Sequence, residues 1–196
     1  SAYQFVALRD CYFISTQQYA IQCANGRGFR AQANWLQSHR SSVATGSQVA
    51  AITVNGRHLE VLDNTFVTCY DGAVQVKPAS ATPAQSVTIR GNKVQSPGNA
   101  VPDFTIGTAD PATDGSVDDL VVANNQVHKD GIAAACLDVF TARRASLTGN
   151  VFHMLSVGTA NTPVIELEGA GEGAGTATYT DEVTVAQNVG QAAVSG

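Results

Sequence analysis

The chain has 196 residues, enough for one domain with a core of its own. It is 44% hydrophobic and only 14% charged, the reverse of a disordered composition. The net charge of −5, from 16 acids and 11 bases, excludes the clustered Lys and Arg that a phosphate backbone needs, so no nucleic-acid partner is expected.

With 18 glycines, a single methionine and abundant Val, Thr, Ala and Asn, the composition favours strands and tight turns over helices. No apolar run reaches the length of about 18 residues that a membrane-spanning helix needs, so no membrane partner is expected.

One pattern recurs along the chain: apolar, any, apolar, any, any, Asn, and often an apolar residue two places on. The copies in order are VALRDCYF, FRAQANWL, LEVLDNTF, VTIRGNKV, LVVANNQV, ASLTGNVF and VTVAQNVG. They place Asn34, Asn64, Asn92, Asn125, Asn150 and Asn188 at one position, with Cys11 in the first copy and Gly190 ending the last. From Cys11 onward the spacings are 23, 30, 28, 33, 25 and 38. Apolar residues alternate within each copy (Leu59 and Val61, Val87 and Ile89, Val183 and Val185), which marks strands with one buried face. A second alternating segment follows each copy except the last: AIQC, AITV, AVQV, FTI, CLDV and VIEL. The stretch from Gly26 to Ser42 is the one place where a short helix is also compatible with the sequence.

A strand–turn–strand unit of this length cannot bury its own apolar face, but a stack of such units can. Equivalent strands then pair in parallel, and crossovers between parallel strands turn right-handedly. The expected fold is an all-β, right-handed single-stranded parallel β-helix (solenoid) of about six to seven coils filling residues 1–196 as one domain. The repeated Asn is expected to take the left-handed conformation of a sharp bend and to hydrogen-bond from coil to coil as a structural ladder. The competing arrangement is an antiparallel sandwich, with Asn55-Gly56, Asp71-Gly72 and Asp130-Gly131 as hairpin turns. The abrupt strands at both ends suggest a segment of a longer chain, with further domains of the parent chain as neighbours, or a homotrimer covering the coil ends.

The repeat resembles the pectate-lyase-like family of right-handed parallel β-helices, which includes pectin-degrading enzymes, alginate epimerases and phage tailspikes. The resemblance covers nearly the whole chain. It implies a polysaccharide or cell-surface glycan as partner, and an extracellular, cell-surface or virion setting. The family's catalytic patterns are not matched. Asp118-Asp119 is similar to the paired aspartates of polygalacturonases, but no Gly-His-Gly or Arg-Ile-Lys accompanies it. Asp110-Pro111 echoes only part of the epimerases' Asp-Pro-His-Glu. The first functional reading is therefore a glycan-binding or structural module of a larger surface, spike or phage-tail protein. The second is a polysaccharide-degrading hydrolase or lyase.

Candidate sites follow from the middle residue of each second strand. Its neighbours point inward, so it points outward. Gln22, Thr53, Gln75 and Thr105 would form a glycan-binding stripe that continues into Asp138 and Glu166. Those two carboxylates, on adjacent coils, would lie about 5 Å apart, the separation of a retaining glycosidase's acid and nucleophile. The loops Lys77–Ser86, Gly107–Asp119 and Glu168–Glu182, the last containing GAGEGAG, would wall a groove. Asp110, Asp114, Asp118 and Asp119 are weak candidates for a calcium ion, the one cofactor considered; no EF-hand spacing is present, and no other metal is expected. His128 and His153 each follow a repeat Asn by three residues and would stack on one edge. Trp35 is expected to pack rather than to stack on a sugar. Cys11, Cys23, Cys69 and Cys136 lack zinc-ligand spacing and read as buried thiols, with a Cys11–Cys23 disulfide as the alternative.

Overall fold

The computed structural model describes residues 5–14, 19–38, 50–78, 83–96, 101–107, 116–130, 134–155, 163–167 and 181–193. These residues are all-β, with no helix among them. In chain order the strands are β1 (Val6–Arg9), β2 (Tyr12–Ile14), β3 (Ile21–Gln32), β4 (Trp35–Gln37), β5 (Ile52–Leu62) and β6 (Thr65–Val67). There follow β7 (Val74–Val76), β8 (Ala84–Arg90), β9 (Lys93–Ser96), β10 (Phe104–Ile106), β11 (Val117–Ala123) and β12 (Gln126–Lys129). The last six are β13 (Leu137–Val139), β14 (Ala142–Thr148), β15 (Val151–Leu155), β16 (Ile165–Leu167), β17 (Asp181–Ala186) and β18 (Val189–Ala193).

Every pairing among them is parallel. That removes the antiparallel sandwich for the described residues. One curled sheet has 11 strands and the other 7. The larger sheet has two halves, which meet in the long strands β3 and β5. The first part of β5, at Ile52–Val54, pairs with β7, while its second part, from Arg57 on, pairs with β8. One half continues through β10, β13 and β16, the other through β11, β14 and β17. The 7-stranded sheet runs β2-β4-β6-β9-β12-β15-β18. A rung of this stack is thus one strand from each of three rows.

Side chains at one register position form columns through the core. In the smaller sheet the inward column is Phe13, Leu36, Phe66, Val94, Val127 and Phe152. In the larger sheet Ile52, Val74, Phe104 and Leu137 align, and Val61, Ile89, Val122 and Leu147 face them from the other half. All eight of these are fully buried. Each such side chain contributes about 1.5–3 kcal/mol of burial.

The asparagines lie at the turn between the two sheets. The amide Nδ2 of Asn64 donates to Asn92 Oδ1 at 3.0 Å and to the Ala31 carbonyl at 3.0 Å, while its backbone N–H donates to the same Asn92 Oδ1 at 3.0 Å. Asn34, Asn92, Asn125 and Asn150 repeat this set, each donating to the next Asn, and Asn188 receives the last bonds. Cys11 joins only through its backbone N–H, which donates to Asn34 Oδ1 at 3.0 Å.

Several expectations are corrected. The left-handed residue of each turn is the one before the Asn: Asp10, Ala33, Asp63, Gly91, Asn124, Gly149 and Gln187 all have φ between 54° and 69°. The asparagines themselves are free of that strain, because their side chains must reach along the stack. Residues 26–38 form strands and a turn rather than a short helix; 39–42 lie outside the described residues. Asn55-Gly56 lies inside β5, where Gly56 pairs with Gly26 opposite a register shift between Cys23 and Gly26 of β3, and is not a hairpin turn. None of the four cysteines forms a disulfide. Cys11 and Cys23 are only half-buried, unlike Cys69 and Cys136.

Candidate functional site

The second-strand midpoints lie in one register. Gln22 pairs with Thr53, Thr53 with Gln75, Gln75 with Thr105, Thr105 with Asp138, and Asp138 with Glu166. Neighbouring positions are therefore one strand spacing apart, about 4.8 Å. The column is not uniformly solvated. Gln22 is exposed and Gln75, Thr105 and Glu166 are half-buried, but Thr53 is 7% and Asp138 5% exposed. The Thr53 hydroxyl is buried without a hydrogen-bond partner. Thr53 and Asp138 are thus covered, while the other four positions of the column keep contact with solvent.

The turns at the Asn ladder take two residues, whereas most connections into and out of this row are longer, the exit from β13 through Phe140 and Thr141 excepted. Residues 77–83, 107–116 and 168–180 leave β7, β10 and β16, while 97–103, 130–136 and 156–164 enter β10, β13 and β16. The whole GAGEGAG stretch lies outside the described residues, as do 79–82, 108–115 and 168–180 of the groove-walling loops, Asp110 and Asp114 among them.

Asp118 and Asp119 lie inside β11 rather than in a loop. Arg143 clasps Asp118 with two bonds, Nε to Oδ1 at 2.9 Å and Nη2 to Oδ2 at 2.7 Å, and the Ser116 hydroxyl donates to Oδ1 at 2.9 Å. Arg144 Nε donates to Asp119 Oδ1 at 2.6 Å. That bond holds the Asp119 carboxyl below its ordinary range, with the Arg144 and Arg143 charges adding to it. Both carboxylates are therefore committed to arginines on the next rung. Among the described residues no three His, Cys, Asp or Glu side chains converge as a metal site.

The smaller sheet presents a second outward face. Trp35 is 40% and Tyr12 59% exposed, contrary to the expectation that Trp35 packs inward. Alternation explains this: Leu36 takes the core position, so Trp35 must face out. The two rings lie 6.1 Å apart, and the Gln37 Oε1 accepts from Trp35 Nε1 and from the Tyr12 hydroxyl. Further along, His128 pairs with His153, and their Nδ1 atoms are 3.3 Å apart. A groove of about 330 Å³ between these features is lined by Thr65, Lys93, Gln95, Gln126, His128 and His153.

A polar cluster inside the core was missed from sequence. Lys129 is fully buried, donating from Nζ to the carbonyls of Val101 at 2.7 Å and Ala135 at 3.2 Å, with Asp103 Oδ2 at 3.5 Å. Burial pushes the Asp103 carboxyl up, against the opposing Lys129 charge and the Ser96 hydrogen bond. Burial, with Asp103 adding, pushes the Cys136 thiol up to about 12, so it is an inert thiol. The signal was present in the alternation: in Gln126-Val127-His128-Lys129 the inward places are Val127 and Lys129.

No protein-family model matches the chain, and neither a curated protein nor a solved structure matches it.

Proposed function

We propose that the chain is part of a right-handed, single-stranded parallel β-helix that binds an extended glycan along the column from Gln22 to Glu166. Parallel pairing of equivalent strands from rung to rung supports the architecture, and right-handed crossovers are nearly universal between parallel strands. The resemblance to the pectate-lyase-like family is in keeping with this. The observation that carries the binding reading is the unbroken polar column between long connections. Amide, hydroxyl and carboxylate groups at a constant spacing suit a polymer with a repeating set of hydroxyls, and long loops on a rigid scaffold are where recognition concentrates. The buried, unpartnered Thr53 hydroxyl is a group that a ligand would satisfy.

In this reading the protein is a module of a surface, spike or phage-tail assembly in an extracellular or virion setting, with other domains or a homotrimer around it. Affinity electrophoresis against a panel of neutral and acidic polysaccharides tests it. Retardation by at least one polymer is expected, reduced about tenfold or more in Gln75→Ala and Thr105→Ala. No retardation by any polymer, or retardation that both substitutions leave intact, would sink it.

A second reading, a glycoside hydrolase or polysaccharide lyase, rests on Asp138 and Glu166 being register partners, with Asp138 withdrawn from solvent. Carboxylates about 5 Å apart suit the retaining mechanism, one as nucleophile and the other as acid. Release of reducing ends that disappears in both Asp138→Asn and Glu166→Gln is its expected result. Activity surviving both changes removes it.

A further inference from the structure

The geometry points to a zinc-type divalent cation site at His128 and His153, on the outward face of the smaller sheet. The two residues are partners on β12 and β15, so the strand ladder fixes their spacing. Their Nδ1 atoms face each other at 3.3 Å, with ring centroids 5.1 Å apart and the planes tilted by 53°. A tetrahedral ion with Zn–N bonds of about 2.0–2.1 Å holds two of its nitrogen ligands about 3.3–3.4 Å apart. Square-planar and octahedral ions require cis nitrogens closer to about 2.9 Å. The separation of 3.3 Å matches the tetrahedral case.

A carboxylate stands near the other nitrogen of His128: Asp130 Oδ1 lies 3.5 Å from Nε2, close enough to take up the carboxylate–histidine pairing that orients a metal-binding ring. The imidazoles border the 330 Å³ groove, so the ion has an entry path from solvent. No third His, Cys, Asp or Glu converges on the pair among the described residues, so water completes the coordination shell. An open shell leaves room for a further ligand in the groove, where Gln95 lies one rung before His128 in the same column.

Zinc chloride titrated into the whole chain, followed by imidazole 15N resonances, tests this. The Cys11→Ser/Cys23→Ser background is used so that the half-buried thiols cannot compete. Expected is one zinc per chain, with the His128 and His153 Nδ1 resonances shifting together. Cobalt in place of zinc should give the absorption of a tetrahedral nitrogen–oxygen site. His153→Gln should weaken binding at least tenfold, as should His128→Gln, and Asp130→Asn about tenfold or more. The side chains face outward, so melting without zinc should be unchanged in all three. Shifts confined to other histidines, affinity unchanged by His153→Gln, or no binding at all would overturn the proposal and leave a hydrogen bond between the rings only.

Discussion

At the scale of single residues, the buried asparagine amides matter most. Asn92 is fully buried and makes bonds to Asn125 Oδ1 and the Val61 carbonyl, while its own oxygen receives two from Asn64. Asn92→Ala strands all these partners, each costing about 1–3 kcal/mol, so a loss of about 3 kcal/mol or more is expected in urea unfolding. Asn188, half-buried in the last described rung, should lose less when changed in the same way. The series was legible because the same amide recurs at one place in six copies. The left-handed residue was not, because Asp10, Ala33, Asp63 and Gln187 carry none of glycine's signature.

Asp103 gives a second residue-scale test. Its folded pKa is raised above the ordinary 3.8. Its contribution to stability is therefore full below 3.8 and is lost as the pH rises through the raised value. Asp103→Asn cannot titrate. The stability of the natural chain minus that of the variant should fall as the pH rises above 3.8, measured by urea unfolding. A flat difference would mean that Lys129 compensates the carboxylate fully.

At the scale of elements, the alternation of apolar residues located most strands, because each places one column inward. It could not tell where a strand turns a corner without a break. In β5 the chain passes from one half of the larger sheet to the other at Gly56, with φ of 126°. A Cβ there would lie 2.1 Å from the Gly26 carbonyl oxygen. Gly56→Ala should thus cost about 3 kcal/mol or more, read as a lower thermal midpoint, since both the backbone angle and the paired strand must shift. The Asn55-Gly56 pair has the letters of a hairpin turn, and only the parallel partner at Gly26 shows that the strand runs on through it. Likewise the candidate column was legible as positions, but the burial of Thr53 and Asp138 within it was not, because alternation gives the face of a residue and not what covers it.

At the scale of the whole molecule, contacts run between neighbouring rungs, so stability is a sum along one axis. Large apolar side chains are exposed mainly at the two extremes of the described stack: Phe5, Val6, Tyr12 and Ile14 at one, Val185 and Val189 at the other. Hydrogen exchange should accordingly be slowest in β5, β8 and β11 and fastest in β1, β2 and β18, with a graded rise between. Uniform protection across all rungs would contradict additive stacking.

The amide column also has a direction. From asparagine to asparagine each side chain donates to the following amide oxygen and accepts on its own oxygen from the preceding one, so the two ends of the row are chemically unlike. Duplicating residues 93–125 would insert a coil whose donors and acceptors match both junctions, lengthening the body by one increment of about 4.8 Å. Such a chain is a gauge: its reach can be altered only in whole steps, and only with the same end leading.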